Sequence, residues 1–432
     1  MSYSLLYIAI GLLVVVLYMK RHKRLDQAHT EELEASKAAG LGEPASLHPI
    51  INPVLCIGSG SCVQACPEDA LGVVGGKAVL KNAAACIGHG ACKAACPIHA
   101  IELVFGTEKR GMEIPNLTPE FESNMPGIYI AGELGGMGLI RNACAQGRQA
   151  MDAIKRRGSG SGKADLDVVV VGCGPAGLSA GLSAIEHKLR YKLLEQEDSL
   201  GGAVYHYPRN KIAMTRPVDL AVVGKVRFGE VQKEKLLEFW NDIVQKTGLQ
   251  VSFRERMEHI EREGDIYVVK TNKGEYRTRN VLLTLGRRGT PRKLDVPGEE
   301  TPKVVYRLID AEQYRGQAVL VVGGGDSALE AAIALAAEEG TDVTLSYRSE
   351  AFSRVKQKNR TMLEEAQKAG RLRVLMKSTV KSISDNTVDL ELDGGERRTL
   401  RNDAVIVCAG GLLPTPLLQK IGIQFDTKFG TV

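Results

Sequence analysis

Residues 165–177 read DLDVVVVGCGPAG, and this stretch decides the fold of the central part of the chain. An apolar, β-branched run leads directly into Gly172, Gly174 and Gly177, and the helix-forming sequence LSAGLSAIEHK follows. The next apolar run, YKLLE, ends at Glu195. Glycines at this spacing permit a tight turn and a close approach to a pyrophosphate, and the acid accepts hydrogen bonds from a ribose. The pattern therefore predicts a β–α–β unit that binds a dinucleotide.

A second copy of this pattern lies at residues 318–328, which read AVLVVGGGDSA. The strand that follows, TDVTLSYR, ends on Arg348 instead of an acid, and Arg354 comes soon after it. A cation at this place suits the 2′-phosphate of NADPH better than the free ribose of NADH, although a solvated basic loop is the alternative. The residues predicted to bind this second nucleotide are Gly323, Gly325, Ala328, Arg348 and Arg354.

Two such units in one chain resemble the two-dinucleotide-binding flavoprotein disulfide reductases over residues 106–432, and the sequence looks most like the thioredoxin reductases and bacillithiol disulfide reductases of low molecular weight. The resemblance implies two Rossmann-like domains, with FAD in the first unit and NAD(P)H in the second. We expect Gly201 and Gly202, just beyond the first unit, to contact the same cofactor. Members of this family are often dimers, which leaves a homodimer open.

One FAD-binding segment of that family stands out of order in this chain. The family has an apolar strand followed by Gly-Asp after its second unit, whereas here the similar segment GIYIAGELGG precedes the first unit, with Glu133 following Gly132. The sequence Phe-Gly-Thr occurs at 429–431 and again at 105–107, so that joining the two would restore the family order. We therefore expect a circular permutation. The alternative is that residues 106–155 complete the preceding domain.

A cysteine motif repeats with a period of 30 residues. Residues 56–67 read CIGSGSCVQACP, and residues 86–97 read CIGHGACKAACP. Over residues 50–105 the repeat resembles the bacterial two-cluster ferredoxins, whose run is C-x2-C-x2-C-x3-C-P. The resemblance implies a small α+β domain that holds two iron–sulfur clusters, because several thiolates must converge on each cluster.

The repeat departs from that family at the second cysteine, which is Ser59 in the first copy and His89 in the second. The family pattern then implies three thiolates at each site, and the two sets are Cys56, Cys62 and Cys96, and Cys86, Cys92 and Cys66. Three outcomes stay open: [3Fe–4S] clusters, [4Fe–4S] clusters with Ser59 or His89 as a further ligand, or degenerate sites. The cysteine spacing fits a zinc site poorly.

The N-terminus suggests a membrane anchor. Residues 5–19 read LLYIAIGLLVVVLYM, and basic residues follow at once. Such an order predicts a single transmembrane helix at residues 3–19 in the bacterial inner membrane, with the catalytic domains facing the cytoplasm. A buried core helix is the alternative. Residues 20–49 are polar and predict a partly helical linker.

The charge balance bears on the partners of the protein. The 432 residues include 56 basic and 51 acidic residues, a net charge of +5, and aromatic residues make up 5%. A balance this small argues against nucleic acid as a partner. No C-x-x-C occurs in the second unit, and Cys144, Cys173 and Cys408 are isolated in the sequence. The iron–sulfur domain is therefore the expected outlet for electrons.

The predicted fold class is α/β, with two Rossmann-like domains, a small α+β ferredoxin-like domain and one N-terminal transmembrane helix. The expected domains are the anchor at 3–19, a linker at 20–49, the ferredoxin-like domain at 50–105, an FAD-domain segment at 106–155, a Gly/Ser linker at 156–164, the FAD-binding domain at 165–285, the NAD(P)H-binding domain at 286–404 and a return to the FAD domain at 405–432.

The first functional hypothesis is a membrane-anchored NADPH oxidoreductase that passes electrons through FAD and the clusters, in either direction, to or from an unknown redox protein or small-molecule acceptor. A second is a thiol or disulfide reductase that uses Cys144 or Cys173. A third is a non-catalytic, flavin-binding redox sensor or assembly subunit with degenerate cluster sites.

Overall fold

The computed structural model describes residues 2–44, 47–136, 138–158, 164–214, 217–287, 289, 291–352 and 355–430. The chain divides into two compact units. The first comprises Met1–Gly111, Ser349–Glu364 and Lys428–Val432, and the second comprises Met112–Arg348 and Glu365–Thr427.

The cysteine repeat folds as a small, pseudo-symmetric domain. Its elements, with the helix that precedes it, are α1 (Ser2–Ala38), β1 (His48–Ile51), α2 (Ser61–Ala65), β2 (Leu71–Val74), β3 (Lys77–Leu80), α3 (Ala91–Ala94) and β4 (Ile101–Val104). The short helices α2 and α3 each begin after a glycine in the left-handed conformation, Gly60 at φ 72° and Gly90 at φ 74°. β1 pairs with β4 and β2 pairs with β3, both antiparallel.

The segment expected to form a partly helical linker continues α1 up to Ala38, and it packs on the β2–β3 hairpin. The Nδ1 atom of His29 lies 3.1 Å from the backbone nitrogen of Val73 and accepts its hydrogen bond. Lys81 is buried and forms ion pairs with Glu32 at 2.7 Å and with Asp69 at 2.9 Å. Burial opposes the charge of Lys81, but these two hydrogen bonds outweigh it and raise its pKa. The second half of α1 is therefore held to the domain by specific polar contacts.

The prediction of a membrane anchor at residues 3–19 is wrong. Across the described residues, no helix is both long enough and apolar enough to cross a bilayer. The physical reason is the length of the apolar run, which covers residues 5–19 before α1 continues into basic residues, whereas a crossing needs about 20 apolar residues. The predicted location in the inner membrane, with the catalytic domains facing the cytoplasm, is wrong for the same reason.

The central part of the chain forms a sheet with helices packed on it. Its elements are β5 (Met112–Pro115), β6 (Ile128–Ile130), α4 (Ile140–Arg157), β7 (Leu166–Val171), α5 (Pro175–Glu186), β8 (Tyr191–Leu194), β9 (Ile212–Met214), β10 (Val218–Leu220), β11 (Gly224–Val226), β12 (Glu230–Gln232), α6 (Lys233–Thr247), β13 (Met257–Glu263), β14 (Ile266–Thr271) and β15 (Gly274–Leu283). The strand order is β13-β14-β15-β7-β8, and β6 pairs with β15 in parallel. The first glycine-rich turn connects β7 to α5.

The segment that precedes the first nucleotide unit in sequence belongs to this same sheet. β6 contributes Ile128 and Ile130 to a buried core that also contains Val169 of β7. α4 packs along α5, and a Cβ atom at Gly147 would overlap the carbonyl oxygen of Ala176. Residues 125–154 therefore complete the fold around the first glycine-rich turn and not the cysteine-rich domain.

A second parallel sheet follows. The elements from here to the C-terminus are β16 (Val304–Val305), β17 (Ala318–Val322), α7 (Asp326–Ala336), β18 (Asp342–Tyr347), α8 (Gln357–Lys368), β19 (Leu372–Met376), β20 (Thr379–Ile383), β21 (Thr387–Glu391), β22 (Arg397–Arg401), β23 (Ala404–Val407), α9 (Thr415–Lys420) and β24 (Phe425–Lys428). The strand order is β16-β23-β17-β18-β19, with β20, β21 and β22 in a separate antiparallel sheet.

The boundary expected between residues 404 and 405 falls inside a strand. β23 pairs in parallel with β17 and supplies buried apolar residues to the second sheet, so this domain extends to Val407. The chain then returns to the first sheet, where Leu418, Ile421 and Ile423 join the core of β6 and β7. The central residues of the expected Gly/Ser linker, 159–163, lie outside the described residues.

Gly147→Ala tests the packing of α4 on α5. We expect the added methyl group to lower the free energy of unfolding by about 1–3 kcal/mol, because the contact between Gly147 and the backbone of α5 leaves no room for it. Urea denaturation followed by the fluorescence of Trp240 measures this directly, because Trp240 is the single tryptophan and is buried in the same core as α4 and α5. Gly229→Ala is the control, since a Cβ atom there meets nothing within 4 Å and should change stability by less than about 0.5 kcal/mol. Equal stability of both variants would contradict the packing described.

Candidate cofactor and cluster sites

The first glycine-rich turn is built on close backbone contacts. Gly172 follows β7 with φ 103°, and a Cβ atom at Gly177 would overlap the carbonyl oxygen of Gly172. At Gly174 a Cβ atom would meet no atom nearer than 3.9 Å, so the backbone before α5 is open. The turn therefore leaves space in front of the N-terminus of α5, and a helix N-terminus stabilises a bound phosphate.

Glu195 lies at the end of β8, as predicted, and is bonded to the same turn. It is 5% exposed, and its carboxylate accepts hydrogen bonds from the backbone N–H of Cys173 at 2.7 Å and of Glu197 at 3.1 Å. Burial raises the pKa of Glu195, and the hydrogen bonds from Glu197 and Cys173 act against that rise. The carboxylate is thus held in one orientation beside the glycines.

Two further glycines lie against this turn. The N–H of Gly201 donates to the carbonyl oxygen of Cys173 at 2.9 Å, and a Cβ atom at Gly202 would lie 3.1 Å from the Cα atom of Gly174. The hydroxyl of Ser199, just before them, is buried and has no hydrogen-bond partner among the described residues. A buried hydroxyl without a partner is costly unless a ligand satisfies it, which fits a bound dinucleotide.

Gly132 and Glu133 follow β6 and approach the first turn of α5. Gly132 has φ 87°, its N–H donates to Oε1 of Gln146 at 2.8 Å, and a Cβ atom on it would lie 3.1 Å from the Cβ atom of Ala176. Sequence reasoning missed Arg287, which lies near Glu133. Burial lowers the pKa of Arg287, and the neighbouring charge of Glu133 partly restores it. The structure therefore brings the predicted FAD-binding residues that follow β6 close to those of the first glycine-rich turn. Their chemistry fits that cofactor.

The second glycine-rich turn connects β17 to α7 and is equally tight. Gly323 has φ 147°, and a Cβ atom there would overlap the carbonyl oxygen of Cys408. Gly325 is open, with nothing within 4 Å of a Cβ atom, and Ala328 is fully buried. Arg348 follows β18 and is exposed, whereas Arg354 lies outside the described residues.

At the second turn, sequence reasoning missed the role of Tyr347. Its ring lies over Gly324, where a Cβ atom would overlap it. The signal was present as three consecutive glycines, of which only two have a role in the nucleotide pattern. Gly324 is needed because an aromatic side chain from the next strand packs against its backbone.

Two of the isolated cysteines are unsuited to thiol chemistry. Cys144 is 3% exposed and Cys173 is fully buried. Burial raises the pKa of Cys144 to about 12, and burial together with the nearby Glu195 raises the pKa of Cys173. Because the thiolate is the reactive form, neither residue is poised as a nucleophile.

Three cysteines from both copies of the repeat line one cavity. They are Cys56 and Cys62 from the first copy and Cys96 from the second, and Ser59 lines the same cavity. Burial raises the pKa of Cys62, and the neighbouring thiols of Cys56 and Cys96 raise it further. This set is the one that the ferredoxin pattern implies for the first cluster.

The other three cysteines form the second group. Burial raises the pKa of Cys86 to about 11, and the thiols of Cys66 and Cys92 act in the same direction. His89 lies three residues after Cys86 and is half-buried. The two copies therefore exchange one cysteine each, as interlocked cluster sites require.

A single metal ion does not fit these groups. Among the described residues, no set of three or more His, Cys, Asp or Glu side chains is arranged to hold one. A cluster places several irons between its thiolates, so its ligands stand farther apart than those of one ion. Soft thiolates in two groups of three fit iron–sulfur clusters better than zinc.

Comparisons with known proteins identify both parts of the chain. A family model described as pyridine nucleotide-disulphide oxidoreductase matches residues 169–431, which is more than half of the chain. A model described as a 4Fe-4S dicluster domain matches residues 48–97.

Individual relatives agree with these models. The chain is 30% identical over 286 residues to the ferredoxin–NADP reductase of Thermus thermophilus, covering 61% of this chain and 81% of that protein. It is 25% identical over 268 residues to the bacilliredoxin reductase Bdr of Bacillus subtilis, covering 61% and 82%. The solved structure of bacillithiol disulfide reductase Bdr (YpdA) from Staphylococcus aureus superposes with a TM-score of 0.54 at 24% identity, covering 60% of this chain and 81% of that one, which shows a common fold.

The raised thiol pKa values predict selective labelling. With the native protein, iodoacetamide should modify Cys144 and Cys173 only after denaturation, and their labelling should not accelerate between about pH 7 and about pH 9, where an ordinary thiol with a pKa near 8.5 gains thiolate. Peptide mass spectrometry after timed labelling measures each residue. Rapid labelling of either residue in the native protein would show that the site opens to solvent.

Proposed function

Because the chain belongs to the pyridine nucleotide-disulphide oxidoreductase family, we propose that it transfers electrons between NADPH, FAD and two iron–sulfur clusters, to or from an external redox partner. The family is one of FAD- and NADPH-dependent reductases, and this chain adds a 4Fe-4S dicluster domain. The observation that carries the proposal is the grouping of six thiols into two sets of three, in a chain whose flavin-domain thiols Cys144 and Cys173 are buried. With those two thiols inaccessible, the clusters are the electron outlet.

The relatives support an exchange with iron–sulfur centres. Several are ferredoxin–NADP reductases, whose names specify a separate ferredoxin as partner. We propose that the cysteine-rich domain takes the place of that ferredoxin within this chain. Electrons could then run in either direction between the nucleotide and a partner, which is either a protein or a small molecule.

The residues at the first turn would bind and orient FAD. The N-terminus of α5 would stabilise the pyrophosphate, and Glu195, held by the N–H of Cys173, would accept hydrogen bonds from the ribose. Gly132 and Glu133 would contact the cofactor from the other side of the turn, with Arg287 near Glu133. When bound, FAD supplies the conversion between hydride transfer and single-electron transfer.

We also propose that the FAD domain is circularly permuted. The support is the pairing of β6 with β15 and the packing of α4 on α5, which complete the fold around the first turn with residues that precede it in sequence. Residues 106–155 would then be the family's last FAD segment, joined to the first by the Gly/Ser stretch that follows α4, which ends at Arg157 and not at the expected residue 155.

A thiol or disulfide reductase is the second candidate, favoured by the likeness to bacilliredoxin reductase. The burial of Cys144 and Cys173 counts against direct thiol chemistry at the flavin. Thiol substrates would therefore have to react elsewhere in the chain.

Anaerobic EPR of the full chain tests the electron route. We expect iron and sulfide in the purified protein and cluster signals that appear when NADPH is added. Cys62→Ser and Cys92→Ser are matched variants, one for each site, and each should lose one cluster while NADPH still bleaches the flavin. A protein without iron, or clusters that dithionite reduces and NADPH does not, would contradict the proposal.

The role of Arg348 predicts a change in nucleotide preference. Arg348→Gln should raise the KM for NADPH by about 10- to 100-fold, because a charge-assisted contact to phosphate contributes about 1.5–3 kcal/mol, and should leave the KM for NADH nearly unchanged. Ferricyanide reduction at varied nucleotide concentration measures both. Arg397→Gln, an exposed arginine of β22, is the control and should affect neither nucleotide. Equal effects of Arg348→Gln on the two nucleotides would remove this residue from phosphate recognition.

A further inference from the structure

The loops that precede the two cysteine motifs differ in exposure although the motifs repeat. In the first copy Val54 is 87% exposed and Leu55 is 52% exposed. Thirty residues later their counterparts are Ala84 and Ala85, which are 3% and 9% exposed. The cysteines of the two copies are buried to a similar extent, so the difference lies in the residues around them, which are large and exposed in the first copy.

The cavity at the first site is open and apolar. Apart from its three cysteines and Ser59, the described residues that line it are only isoleucine, alanine and glycine. Ile57 and Ile98, which belong to this lining, are 67% and 36% exposed and form its rim. The amine of Lys77 donates to the backbone carbonyl of Cys56 and is not part of the lining. The cluster would fill the space between the three thiols, so an outside ligand would meet the apolar rim.

Ser59 stands where the fourth thiolate would be. Its side chain is exposed, and its hydroxyl shares a hydrogen bond of 3.3 Å with the hydroxyl of Ser61. A neutral hydroxyl is a much weaker ligand for iron than a thiolate, because it must lose a proton of high pKa to bind as an anion. The fourth corner of the first site therefore lacks a protein thiolate and faces solvent.

The corresponding corner of the second site is more enclosed. Gly88 is buried and His89 is half-buried. The thiol of Cys86 lies 3.9 Å from the carbonyl oxygen of Leu47, which comes from the segment before β1. The second site is thus covered where the first is open.

We propose that the first site holds a [4Fe–4S] cluster with one iron open to exogenous ligands, and that this iron binds a small thiol. The inference rests on the proposed function, because it requires the clusters. A thiol is the ligand class that fits, since sulfur is the soft donor that iron–sulfur clusters prefer, and a neutral thiol can approach across the apolar rim of Ile57 and Ile98. On binding, the thiol would give up its proton to solvent, and its sulfur would take the coordination position that no cysteine of the chain fills. No electron is transferred in this step.

The assignment gives the two clusters different tasks. The closed cluster of Cys66, Cys86 and Cys92 relays electrons, and the open cluster of Cys56, Cys62 and Cys96 meets the substrate. Low-molecular-weight thiols, or the thiol half of a disulfide, are then the substrate class of the chain. Such a site accounts for thiol chemistry in a protein whose Cys144 and Cys173 are buried.

Titration of the full chain with 2-mercaptoethanol tests this proposal. The protein is purified without thiols, its clusters are reduced anaerobically, and EPR spectra are recorded as the thiol is added. We expect the signal of one cluster to shift in the wild type and in Ser59→Ala. Ser59→Cys supplies the missing thiolate and should need at least tenfold more thiol for the same shift. The matched variant of the second copy, His89→Cys, should respond as the wild type does.

Each other outcome has a definite meaning. An unchanged spectrum in the wild type overturns the proposal, as does a [3Fe–4S] cluster that takes up no added ferrous iron. A response that persists in Ser59→Cys and disappears in His89→Cys assigns the open iron to the second site instead. Iron and sulfide contents, with reduction by NADPH, are measured on the same samples. Protein without clusters disproves the proposed function, whereas reducible clusters that ignore thiol disprove only the thiol site.

Discussion

The FAD-binding part of this protein depends on backbone contacts that only glycine allows. Gly177 packs against the carbonyl oxygen of Gly172, which sets the distance between α5 and the strand before it. Gly147 allows α4 to pack against the carbonyl oxygen of Ala176, the residue that precedes Gly177 in α5. Gly202 lies on Gly174 in the same way. The backbone of the first glycine-rich turn therefore positions α4, which precedes it, α5, which follows it, and the loop after β8.

These contacts are the kind that the proposed circular permutation requires. α4 and β6 are held to the sheet by packing and strand pairing and not by their covalent connection to β7. A segment fixed in this way keeps its place whether it is joined at one end or the other, provided the new connection is long enough.

Much of the fold and part of the site follow from local sequence, because local backbone geometry determines them. The glycine spacing predicted both nucleotide turns, and the resemblance to the two-cluster ferredoxins implied the set of three cysteines that line one cavity. Features that depend on distant partners were missed. Glu133 meets Arg287, and the ring of Tyr347 covers Gly324, only because the sheets bring their strands together.

The errors have the same origin. The segment at 20–49 is expected to be a polar, partly helical linker, and it is helical up to Ala38, but its contacts were missed because His29 and Glu32 find their partners on the distant β2–β3 hairpin. The expected domain boundary falls inside β23 because the sequence of an apolar strand does not indicate which sheet the strand will join. The apolar run at residues 5–19 of α1 suggested a membrane helix because of its composition, although the run is too short to cross a bilayer.

The cysteine repeat shows how small substitutions can separate two sites that share one backbone. The left-handed glycines, the short helices and the antiparallel strand pairs recur in both copies, so both copies present their thiols in the same way. What differs is what covers them: small alanines pack under one loop, and large aliphatic residues surround the other in solvent. Exposing valine, leucine and isoleucine has a free-energy cost of about 1.5–3 kcal/mol for each side chain that could have been buried. A surface that keeps such residues around a three-thiolate cavity agrees with the proposal that an outside molecule meets the protein at this site.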